Sequence, residues 1–166
     1  MSLPDLAAVL WRQRELLERL AYKLECERLL MTSGRTRWLA TATSEVELLT
    51  DELAVIEIQR GAVADGVCRE LGIDVGASLE ELAAAASPPW TAMLLDHRDA
   101  LIALTTELAS LAEATRQITT TGLAAVEATL ASVGLRDGAT SRGYDAKGRT
   151  DVIAGHTRSA MIDRAL

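Results

Sequence analysis

The side chains suited to chemistry are few. His97 and His156 are the only imidazoles, and Cys26 and Cys68 the only thiols. Tyr144 stands in the polar stretch "SRGYDAKGRTD", Ser141 to Asp151, as the only aromatic residue after Trp90. A di-iron bundle needs Glu-x-x-His pairs facing its core. The residues three before the two histidines are Leu94 and Ile153, so that chemistry has no ligands here. Two Cys and two His at wide spacing match no zinc pattern. A phosphate loop reads Gly-x-x-x-x-Gly-Lys, but Gly138 and Gly143 are followed by Tyr144. No Gly-x-Ser-x-Gly nucleophile elbow occurs. An enzyme is not expected, and neither a cofactor nor a metal is called for.

Three other features invite two readings each. Tyr144 lies among Gly, Asp and Lys. Such a terminal stretch is often idle, yet an aromatic anchor with small polar neighbours also has the makeup of a docking motif. Arg60 falls on an apolar stripe. Its stem could cover apolar surface while its head pairs with Glu57 or water, or it could be a buried charge that fixes register. His97 lies on another apolar stripe beside Asp96, Arg98 and Asp99 and reads as a packed structural histidine. Trp11, Trp38 and Trp90 fit bundle-end packing, or a contact surface where exposed.

The elements that carry these residues are helical. The chain has 166 residues, 49% of them apolar, only 3% aromatic and none Phe. Such a core is built from Leu and Ala, as in bundles. Leu3, Leu10, Leu17, Leu24 and Met31 recur every seven residues. Leu6 and Leu20 hold the companion row, which Gln13 and Glu27 interrupt. The spacing predicts a first helix from "SLPD" to Ser33-Gly34 and a second from about Arg35 to Leu71, stopped by Gly72. "SLEEL" carries a capping box, Ser78 with Glu81, and predicts a short helix over Leu79 to Ala86. Ser87 and Pro88 then suit the N-cap and first position of a third long helix. Its stripe keeps step to Val133-Gly134, with "TTTG", Thr119 to Gly122, as the place where it would kink unless it overhangs its partners.

Beyond Gly134 the stripe stops and glycines gather, which predicts a flexible tail. The expected architecture is all-α. An elongated antiparallel bundle of three long helices plus a short one fills residues 1–134, and a C-terminal tail over 135–166 carries the Tyr motif. The net charge of −7 divides as −2 over residues 1–60, −7 over 61–134 and +2 over 135–166. No basic patch of the kind that binds nucleic acid appears. No signal peptide and no run of about 18 apolar residues is present, so a soluble cytoplasmic protein with reduced thiols and no stable membrane insertion is expected.

Four segments, in this order, resemble the FlgN family of flagellar type III export chaperones. They are "VIEIQRGAVADGVCRELGID" (Val55 to Asp74), "SLEEL" (Ser78 to Leu82), "TRQITTTGLAAVEATL" (Thr115 to Leu130) and "YDAKGRT" (Tyr144 to Thr150). The resemblance spans nearly the whole chain. It implies a chaperone that holds the terminal helices of the hook–filament junction proteins, FlgK and FlgL, and brings them to the export gate protein FlhA. Carried over by position, it makes Tyr144 the gate-docking residue, with Asp145, Gly148 and Arg149 as its setting. The end of the third helix would meet the substrate through Ile118, Leu123, Val126, Leu130 and Val133. One departure is Thr115, where family members often carry Asn. The heptads leave a second expectation open, a self-associating coiled-coil adaptor that forms a homodimer.

Overall fold

A computed structural model of the chain describes residues 2–137, 142–144 and 150–152, with side chains as far as Val133. The architecture is a helical bundle. It comprises α1 (Leu3–Thr32), α2 (Leu39–Leu71), α3 (Leu79–Ala85) and α4 (Trp90–Asp137), with a 3-10 turn at Thr36–Trp38. Two strands follow, β1 (Arg142–Tyr144) and β2 (Thr150–Val152). The chain divides into two compact units, Met1–Ile118 and Thr119–Leu166.

Local chemistry sets most helix ends. At the start of α1 the Ser2 backbone N–H donates to the Asp5 carboxylate at 2.8 Å, and Pro4 stands in the first turn, where its missing N–H costs nothing. Gly72 closes α2 with φ +71, a left-handed conformation that glycine adopts without a Cβ clash. The box at α3 is formed in both directions. Ser78 N–H donates to Glu81 at 2.7 Å, and Glu81 N–H donates to the Ser78 hydroxyl at 3.2 Å.

Four boundaries differ from the sequence expectation. The second helix starts at Leu39 after its 3-10 turn, and α3 ends at Ala85. The last helix begins at Trp90, not Pro88, after a turn in which Trp90 N–H donates to the Ser87 carbonyl at 3.0 Å. It then runs unbroken through Thr119–Gly122 to Asp137. The backbone hydrogen-bond ladder carries the β-branched run, which individual propensities only weakly oppose.

Within the first unit α1 and α2 are antiparallel, as the pairs Arg12–Glu52 (3.6 Å) and Lys23–Glu45 (2.6 Å) require. These half-exposed ion pairs mark register more than they stabilise. The stabilisation lies in two apolar clusters. One joins Leu6 and Leu10 of α1, Val67 and Cys68 of α2, Leu82 and Ala83 of α3, and Leu94 of α4. The other joins Leu16 and Leu20 to Leu49 and Ile56, with Leu108 of α4 against it. Each fully buried Leu contributes about 1.5–3 kcal/mol, so Leu6, Leu10, Leu16 and Leu20 of α1 are the spine of this unit.

In the second unit β1 and β2 pair antiparallel, Arg142 opposite Val152, Gly143 opposite Asp151 and Tyr144 opposite Thr150. Part of the segment expected to be a tail thus has regular backbone structure. The rest of the expected flexible tail, 138–141, 145–149 and 153–166, lies outside the described residues.

Candidate functional site

The last turns of α4 present an apolar face to solvent. Leu123, Val126, Leu130 and Val133 are 58%, 57%, 66% and 51% exposed. At about 100° per residue their spacing keeps all four within an arc of ~80°, so they form one stripe. Every side chain from Thr119 to Val133 is exposed. A helix stripe left open in this way is the type of surface that receives a partner helix. Ile118, the fifth residue expected here, is half-buried and belongs to the first unit.

Just before this segment Glu113 accepts hydrogen bonds from Arg116 at 2.8 and 2.9 Å and from Gln117 at 2.8 Å. Those donors hold its carboxyl down to about 2. It therefore stays ionised, nearly three turns ahead of the apolar stripe.

The residues expected to dock at the export gate separate in description. Tyr144 closes β1, and its backbone lies opposite Thr150. Asp145, Gly148 and Arg149 lie outside the described residues.

His97 is fully buried. Its ring meets Trp11 edge-on, with centroids 4.8 Å apart and planes at 84°. Burial is the main influence holding it below the ordinary imidazole value; Arg14 adds to that, and Asp96 opposes it. Trp11 and Trp38 are 55% and 51% exposed, while Trp90 packs on the first apolar cluster. Arg60 makes no ion pair with Glu57; it is half-buried, and its Nε is buried without a hydrogen-bond partner. Gln13, which reads in sequence as a break in an apolar row, is buried within the bundle.

Among the described residues no three His, Cys, Asp or Glu side chains are grouped as metal ligands would be. Cys26 and Cys68 are free thiols, the second fully buried. No described helix is long and apolar enough to cross a membrane.

Among curated proteins and among solved structures, none matches the chain. A family model does, that of the FlgN protein, over residues 1–151. The match takes in all four helices, the exposed α4 stripe and the Tyr144 strand. It covers far more than half of the chain, which therefore belongs to the FlgN family, a family of flagellar export chaperones.

Proposed function

We propose that this chaperone acts in the cytoplasm on hook–filament junction proteins of the FlgK and FlgL type. It covers their terminal helices before export and delivers them to the gate protein FlhA. The observation that carries the client half of this reading is the open stripe Leu123–Val126–Leu130–Val133. Clients of this kind expose amphipathic helices that otherwise assemble with one another, and a helix face with matching apolar spacing can cover them by side-by-side packing. An acidic body, with −7 over residues 61–134, suits transient hand-off over permanent assembly.

The gate half rests on the family resemblance of "YDAKGRT". Residues 1–134 serve as the chaperone body in this reading, and residues 135–166 carry the docking motif of Tyr144, Asp145, Gly148 and Arg149. The test separates the two halves. Tyr144→Ala is expected to leave client binding intact while binding to FlhA and export decline. Unchanged export would remove the gate role from Tyr144. Absence of a soluble complex with either junction protein at roughly tens of micromolar, the range of transient partners, would remove the client role.

A further inference from the structure

A cleft of about 450 Å³ in the first unit takes its walls from all four helices, among them Gln13 of α1, Arg60 of α2, Leu79 of α3, and Arg98, Leu101 and Ile102 of α4. Two polar groups at this cleft are unsatisfied. Gln13 is 6% exposed, and its Oε1 has no hydrogen-bond partner. The buried Nε of Arg60 has none either. Buried polar atoms are nearly always paired, so each unpaired one calls for an explanation.

The charges at the cleft are not equivalent. Arg98 is neutralised within the chain by Glu80 at 3.3 Å and Asp99 at 2.8 Å. Arg60 has no carboxylate of the described residues within ion-pair distance. Glu57, one turn earlier on α2, is exposed and does not pair with it. What remains is a guanidinium without a counter-ion, the exposed Glu57 carboxylate, a buried amide, and walls in which Leu79, Leu101 and Ile102 stand beside Ser78 and Thr105. A guanidinium fork matches a planar carboxylate with two parallel hydrogen bonds. An ionised carboxylate only accepts, so the Gln13 amide offers it a further bond by turning its NH2 group, and not its Oε1, towards the cleft. Leu79, Leu101 and the half-exposed Ile102 would be unused by a free inorganic anion. They suit the methylenes and apolar neighbours of an acidic side chain carried on a helix.

We propose that this cleft receives a carboxylate side chain presented by an amphipathic helix of a partner protein, with Arg60 as its counter-ion and Gln13 as its second polar contact. The site is separate from the α4 stripe and from Tyr144, and it does not rest on the client or gate roles.

The test uses the full-length chain and two amphipathic Leu/Ala peptides, identical except for a Glu or a Gln at the border of the apolar face. Nuclear magnetic resonance follows the Arg60 Nε–H and Gln13 side-chain amide signals. The Glu peptide is expected to shift both signals and to bind at least tenfold more tightly than its Gln twin. Arg60→Gln should abolish that difference, and Arg60→Lys, which keeps the charge without the fork, should retain part of it. Equal binding of the two peptides, or binding that moves neither signal, overturns the proposal. A full-length variant with Asp145, Asp151 and Asp163 all changed to Asn checks the chain's own acidic residues as occupants. If that variant shifts the Arg60 signal with no peptide present, the site is filled from within and the partner assignment is overturned.

Discussion

The two ends of α4 are built from similar residues and meet opposite surroundings. In its first turns Leu94 and His97 are fully buried, and Leu101 and Leu108 pack on the two clusters of the first unit. In its last turns Leu123, Val126, Leu130 and Val133 are all more than half exposed. Both stretches satisfy the same helical spacing, so amphipathicity alone does not tell a core face from an open one. The difference lies in what stands opposite. Leu94 belongs to a buried cluster that also draws on three other helices, whereas none of the side chains from Thr119 to Val133 is buried.

The largest expected effect contrasts one residue from each end. Leu94→Ala leaves a cavity in a closed cluster and should cost about 2–5 kcal/mol in urea unfolding. Leu130→Ala removes a similar side chain from an open surface and should move stability by about 0.5 kcal/mol or less. Equal losses would mean that the last turns are part of the folded core, and the contrast would fail.

The reverse contrast should appear in binding. Leu123→Ser combined with Leu130→Ser is expected to weaken capture of a junction-protein terminal helix at least tenfold, about 1.4 kcal/mol, with the unfolding midpoint little changed. Calorimetric titration reads the first quantity and thermal denaturation the second. A double variant that binds normally would show that the stripe is not where clients sit.

These two ends were not equally legible from the sequence. Where a signal is local chemistry it could be read in advance, as with the Ser78–Glu81 box and the stop at Gly72. The leucine pattern of α1 points to the spine of the first unit because Leu6, Leu10, Leu16 and Leu20 repeat along one face. Three-residue strands such as β1 and β2 carry too few positions for a period to show. Thr119–Gly122 suggested a kink because propensity is summed residue by residue, while helix continuation is cooperative. The Gln13–Arg60 cleft was hidden for a further reason. Its residues lie on four elements far apart in sequence, where Gln13 reads as a break in an apolar row and Arg60 as a charge on an apolar stripe, with nothing local to join them.

A smaller effect belongs to the buried end alone. His97 titrates below the ordinary imidazole value in the folded protein, mainly through burial. The unfolded chain therefore takes up the proton first as pH falls. Stability from this residue is complete above about pH 6.5, the unperturbed value. It is lost as pH drops through that point towards the lower folded value. The carboxyls of Asp5, Glu25, Glu81 and Glu113 are all held below their ordinary values, so their contributions fade only in stronger acid. Denaturant melts between about pH 7.5 and 5 should show a decline that His97→Leu removes. A decline that survives the substitution would assign it to another group.

The smallest effect probes how far the two ends melt together. Gly122 lies inside α4 and Gly61 inside α2, and at neither does any atom beyond the adjoining residues and the helix's own backbone come within 4 Å of where a Cβ would stand. Alanine fits at both positions, and a helix-interior Gly→Ala change is worth about 0.5–1 kcal/mol. Where that gain is felt depends on which part of the chain opens. Val63 and Ala64, next to Gly61 on α2, pack against the first cluster, so Gly61→Ala should raise the global urea midpoint. Gly122 is followed by turns whose side chains are all exposed. Gly122→Ala should therefore slow amide hydrogen exchange over residues 119–133 while leaving that midpoint nearly unchanged, since local opening there precedes global unfolding. If both substitutions raise the midpoint alike, the exposed turns unfold with the core. The exposed stripe would then open together with the core and not as an independently fraying surface.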